Sequence, residues 1–132
     1  MPDRSAELLT AVQNLLKANA PVAALVEDRV YGSIPQAPTY PYVRLSDNAI
    51  PWSTQTFSGM KHTLRVQAFS QDSKPGVPLA IRAACFDALD RQEDSLAVEG
   101  LVSVDFDGMA DAFVQEDGKT YQAVIEFSVL IQ

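Results

Sequence analysis

The stretch that most constrains the fold is the last one. From Thr120 to Leu130, Tyr121, Ala123, Ile125, Phe127 and Val129 occupy every second position, and a period of two is that of a strand with one apolar face. Such a strand needs neighbours in a sheet and a layer over its apolar side. Just upstream, Asp117-Gly118 reads as a hairpin turn, because both central residues of a type I′ turn take positive φ, which Asp tolerates and Gly accepts freely. The partner strand is expected over Ala110 to Gln115, after Asp107-Gly108. An earlier strand is expected over Leu101 to Asp107, with Val102, Val104 and Phe106 alternating against Leu101, Ser103 and Asp105.

The N-terminal part has a different period. Leu8, Leu9, Val12, Leu15 and Leu16 recur at helical spacing, so roughly Asp3 to Ala18 reads as an amphipathic helix, with Asp3 or Ser5 as its cap and Pro21 as its end. Val22 to Val26 suits a single turn packed on that helix. Between Arg29 and Pro41 stand Gly32, Pro35, Pro38 and Pro41, a density that excludes a helix and favours an extended crossing segment. Tyr42 to Leu45 and His62 to Phe69 read as two strands joined by a long loop, Ser46 to Met60, which carries Ile50, Trp52 and Phe57 among polar residues. A second helix is expected over Pro78 to Arg91, from the stripe Ile81, Ala84, Cys85, Ala88 and Leu89. The whole, residues 1–132, reads as one α+β domain: a mostly antiparallel sheet of about five strands with two helices packed on one face.

Charge and composition narrow the function. The chain has 17 acidic and 10 basic residues, a net charge of −7, which gives no long-range attraction to a phosphate backbone. DNA could slide past such a surface without sticking. The apolar runs fall short of the ~20 residues a membrane helix needs, and Glu7, Gln13, Asn14 and Lys17 break up the leucines that a signal peptide would keep together. A lone cysteine, Cys85, forms no intrachain disulfide, in keeping with synthesis in a reducing cytoplasm.

Catalytic chemistry has little to work with. His62 is the single histidine and begins an alternating strand in phase with Leu64; a structural or interface role outweighs acid–base work there. Cys85 lies on an apolar helical stripe and suits core packing. Asp105, Asp107 and Asp111 stand close together but do not match a calcium loop, and suit a solvated turn. The sequence has no zinc-type Cys/His cluster, no phosphate-binding glycine loop and no nucleophile elbow. No catalytic, cofactor or metal residue is therefore assigned. What remains is apolar material in polar surroundings, the kind that anchors protein interfaces: Trp52 and Phe57 either fold back as a lid or meet a partner.

An ordered series of short signatures carries a family resemblance. The amphipathic helix leads to Leu25-Val26, then Asp28-Arg29-Val30-Tyr31, Ile34-Pro35-Gln36 and Tyr40-Pro41-Tyr42-Val43. Pro51-Trp52-Ser53, a strand opening His62-Thr63-Leu64, a helix, and Asp117-Gly118 before the final strand complete it. In this order the chain resembles the tail completion, or tail terminator, proteins of long-tailed phages, prophages and gene-transfer agents. The resemblance implies a non-enzymatic homo-oligomer, usually a hexameric ring, that caps the tail tube protein, ends its polymerisation and meets the head connector. It implies assembly in the host cytoplasm, a final place at the head-proximal end of the virion tail, DNA passing through the lumen without specific binding, and no membrane partner. Candidate interface residues are Tyr31, Pro35, Tyr40, Trp52, Phe57 and His62. Two alternatives stay open: another head–tail adaptor or minor tail protein, and a small hydrolase built on His62.

Overall fold

The computed structural model describes residues 4–54, 56, 58–71, 76–114 and 118–132. Helix α1 spans Ser5–Ala18 and buries Leu8, Val12 and Leu16, with Leu9 and Leu15 packed beside them, as a 3.6-residue period requires. Its ends differ from the expectation. Ser5 is already helical, the cap position falls on Arg4 without a side-chain cap bond, and Asp3 lies outside the described residues. Asn19, not Pro21, ends α1, because it turns extended and its side-chain oxygen accepts from the Val22 N–H at 3.2 Å to start α2, Ala20–Val26. Pro21 then sits in the first turn of α2, where its missing N–H costs nothing.

The proline-rich segment is not the extended crossing expected: its ends meet, with the Val43 N–H donating to the Arg29 carbonyl at 2.9 Å, so it is a loop closed on itself, and it also contributes a strand. Val30–Tyr31 forms β1, which runs parallel to β2 opposite Val43 and Arg44. Two residues are too few to show a period, so β1 was not visible in the sequence. Side chains hold the loop closed: Gln13 Nε2 donates to the Val30 carbonyl at 2.7 Å, and Arg29 Nε donates to the Pro41 carbonyl at 2.8 Å.

The expected loop from Ser46 to Met60 is mostly sheet. Strand β2 runs over Tyr42–Ser53 and β3 over Ser58–Ser70, antiparallel all the way from Tyr42 opposite Phe69 to Ser53 opposite Ser58. Beyond Leu45, β2 carries polar or exposed residues at most positions, so ladder bonds rather than an apolar alternation define it there.

Helix α3 spans Gly76–Leu89, a 3-10 turn follows at Glu93–Ser95, and β4 and β5 span Leu101–Val114 and Tyr121–Ile131. The strands expected at Leu101 to Asp107 and Ala110 to Gln115 are thus one strand with two irregularities. Leu101 pairs with Ile131 and Ser103 with Leu130, so Val102 is an extra residue; a second break lies between Phe106 and Ala110. A bulge flips the phase of everything beyond it. Val102 is accordingly 44% exposed, and Leu101, not Val102, packs with Val104 on the core side. Gly118 has φ +70 as the hairpin reading requires, while Asp117 is outside the described residues.

The result is an α+β fold with one five-stranded sheet in the order β1-β2-β3-β5-β4, antiparallel except for β1. The layer on its apolar side holds three helices where two were expected, because the turn after Asn19 became a helix of its own. Facing them are Val43 and Leu45 of β2, Leu64, Val66 and Ala68 of β3, and Ala123 to Ile131 at alternate positions of β5. The other face carries Arg44, Ser46, Arg65 and Glu126; Arg65 donates to Glu126 from both Nε (2.9 Å) and Nη2 (2.7 Å).

The chain end is fastened by Gly100. Its carbonyl accepts from the Gln132 N–H at 2.7 Å, its φ is +80, and a Cβ there would stand 2.4 Å from the Gln132 carbonyl oxygen. Gly100→Ala must therefore either release Gln132 or hold an L-residue in a strained backbone state, and is expected to cost about 1–3 kcal/mol in chemical denaturation. An unchanged unfolding midpoint would show that the contact is dispensable.

Candidate protein interface

The proline-rich loop presents aromatic rings, but they serve one another. Tyr42 lies between Tyr31 (centroids 5.9 Å), Tyr40 (5.1 Å) and a stacked Phe69 (5.0 Å). Burial, together with Tyr40, pushes the Tyr42 phenol up to about 12. Tyr31 and Tyr40 remain half-buried and Pro35 is exposed, so all three reach the surface around this cluster.

His62 does not. Its ring is fully buried, with Nδ1 2.8 Å from Asp47 Oδ2, and the Asp47 side chain is itself only 3% exposed. This corrects the placing of His62 among the interface candidates: the alternation that put it in phase with Leu64 is the alternation that turns it inward. With the carboxylate accepting, it is Nδ1 that carries a proton toward Asp47. Neither His62 Nε2 nor Asp47 Oδ1 has a hydrogen-bond partner among the described residues. The pair is internal structure. Cys85 is likewise buried, and desolvation pushes its thiol up to about 12, which makes it inert at neutral pH.

Of the large exposed apolar side chains among the described residues, four gather in two places, while Val102 and Val114 stand on β4 outside them. At the far end of the β2–β3 hairpin, Ile50 is 52% and Trp52 39% exposed; Phe57, the other candidate there, lies outside the described residues. The second place was not read from the sequence. Between α3 and the sheet-edge strand β4 runs a groove of about 300 Å³, lined by Leu79, Ala83, Phe86, Phe106, Ala110 and Ile125 with Arg82 and Asp87 at its rim. Leu79 and Phe106 are about two-fifths exposed, and the rings of Phe86 and Phe106 meet edge to face at 5.7 Å. A signal was available: Leu79, Ala83 and Phe86 form a second apolar stripe on α3 beside the core stripe, and a helix that is apolar on two sides covers or presents both.

The chain was compared with known proteins. The family model for tail completion protein gp17 matches residues 10–132. Among solved structures, a chain in the virion of a native gene transfer agent particle superposes with a TM-score of 0.83 at 27% identity, covering 94% of this chain and 93% of that one. No curated protein matches.

Proposed function

Because the chain belongs to the tail completion protein gp17 family, we propose that this phage-type tail structural protein forms a ring, hexameric as the resemblance implies, on the last ring of a tail tube. In that position it stops tube growth and offers the head connector a seat. It makes and breaks no bond; its work is binding. The observation that carries the reading is the match over nearly the whole length, in sequence over residues 10–132 and in fold to a subunit of a gene transfer agent virion.

Physical features of the chain support it. Termination requires one face that imitates a tube subunit's partner and another that refuses further stacking. Head-to-tail contacts between identical subunits must close into a ring or grow without limit, so a terminator gains by closing. Its net charge of −7 lets DNA pass a lumen without adhering. The surface around Tyr31, Pro35 and Tyr40, and Trp52 with the sequence candidate Phe57, are the proposed contacts with sister subunits and neighbouring rings. Residues 1–132 act as one domain, assembled in the host cytoplasm and ending at the head-proximal end of the tail.

Negative-stain imaging of the purified protein, alone and with tail tubes, tests this. Rings with a central hole are expected, and in whole particles a labelled copy should lie between tube and neck. Strict monomers under both conditions would overturn the ring, and a label elsewhere on the particle would favour a different adaptor or minor tail role.

A further inference from the structure

The two margins of the sheet are not alike. Along one of them, β4 is stopped at several points by groups of its own chain. The Val104 carbonyl accepts from the Arg91 N–H at 2.8 Å, the Phe106 N–H donates to Asp90 Oδ1 at 3.1 Å, and Arg82 Nη1 donates to the Asp111 carbonyl at 2.8 Å. Along the other, β1 covers only Val43 and Arg44 of β2. Beyond Arg44, β2 has β3 on one side and, among the described residues, no strand on the other. We propose that this bare margin of β2, residues 47–51, is completed by an extended segment of the last tail-tube subunit, an inference that rests on the terminator reading and names how the tube is held.

The backbone fixes which groups wait there. The Val43 N–H points away from β3, since it donates to the Arg29 carbonyl at 2.9 Å, and the β2–β3 register runs unbroken to Ser53. Backbone groups of a paired strand alternate between its two sides, so Asp47, Ala49 and Pro51 turn theirs outward. Asp47 shows the consequence: its side chain is only 3% exposed, yet the residue as a whole is half-buried, so what reaches solvent is its backbone. Pro51 lacks its N–H on this open side, the side on which a strand tolerates proline. An incoming strand thus meets donors on Asp47 and Ala49 and acceptors on all three residues. Ile50 and Trp52, 52% and 39% exposed, flank the same stretch, so the segment that fits carries apolar side chains at alternate positions beside them.

The asymmetry selects the occupant. A terminator needs one surface that accepts the tube and one that refuses further stacking; the β2 margin accepts a strand and the stopped β4 margin refuses one. Among the described residues a sister copy offers no open margin of this length but β2 itself, and two such margins meet as a two-fold pair that closes at a dimer.

Ala49→Pro tests the margin, because it removes an outward donor and, like Pro51, leaves the β2–β3 ladder its bonds. Ala49→Val keeps the donor. Each full-length protein is mixed with purified tail tubes, capping is scored by co-sedimentation, and rings are scored by negative-stain microscopy. The unaltered and Ala49→Val proteins are expected to cap tubes alike, and Ala49→Pro about tenfold more weakly or worse, with similar thermal unfolding and the same rings. Undiminished capping by Ala49→Pro would refute the margin and leave the ring standing. Ala49-dependent capping by a protein that never forms rings would uphold the margin and overturn the ring, and no capping by any of the three would overturn both. Rings or dimers of the unaltered protein that vanish in Ala49→Pro would replace the tube by a second copy as occupant and so overturn the assignment. Hydrogen exchange of the unaltered protein decides the matter even where the variant unfolds: the Asp47 and Ala49 amides are expected to exchange freely in the subunit alone and to gain protection on tubes. No gain would sink the proposal.

Discussion

Phe127→Ala is expected to lower folding stability by about 3–5 kcal/mol, the range for removing a buried ring. Phe127 has no exposed surface and is among the largest side chains in the core. It sits at the middle of β5, opposite Leu64 on β3 and Phe106 on β4, and its ring lies 6.4 Å from that of Phe86 on α3. The cavity would thus open where sheet and helix meet, with three elements held in place by their own hydrogen bonds and unable to close it. Domains of this size are stable by ~5–15 kcal/mol in all, so the variant should unfold at far lower urea concentration. Phe127→Leu, which keeps most of the volume, should lose no more than about 1.5 kcal/mol. A loss below about 1 kcal/mol for the alanine variant would mean that the core relaxes around the hole.

The second large effect concerns Asp47 and His62. Asp47→Ala takes away the one hydrogen-bond partner the buried imidazole has among the described residues, and leaving a buried polar group unpaired costs about 1–3 kcal/mol. Replacing both, as Asp47→Leu with His62→Leu, removes the polar groups together and should be neutral or stabilising, as buried polar pairs exchanged for apolar residues often are. Equilibrium denaturation of Asp47→Leu, His62→Leu and the double variant gives the coupling directly. If the double variant is as unstable as Asp47→Ala, the pair contributes something other than mutual satisfaction of its polar groups.

How far the chain could be read without its structure depended on how periodic each segment is. The long amphipathic elements were plain: α1 from its leucines, α3 from the Ile81 to Leu89 stripe, β5 from its strict alternation. Their burial follows directly from the phase of the apolar residues. Strand β2 beyond Leu45 was hidden because the positions in phase with Val43 and Leu45 are Asp47, Ala49 and Pro51, while Ile50 and Trp52 fall on the other face, so no apolar alternation shows. β4 misled for the opposite reason: it has an alternation, but an inserted residue at Val102 shifts the phase. The tip with Trp52 was legible as apolar matter in polar surroundings. The groove was not, since Leu79 and Phe106 come from different elements and become one surface only when α3 lies across the sheet.

The two irregularities in β4 matter most before any neighbour has arrived. Strand β4 is a margin of 14 residues whose middle is already occupied, the Val104 carbonyl accepting from the Arg91 N–H and the Phe106 N–H donating to Asp90 Oδ1; an open, flat margin of that length would invite any passing strand to zip onto it and seed fibres. The surplus residue at Val102 and the break between Phe106 and Ala110 put its donors and acceptors out of step with a regular strand, which could stay in phase for only a few residues at a time. Separate copies of the chain are thus less prone to clump, because the margin that would join them strand to strand is spoiled as a template.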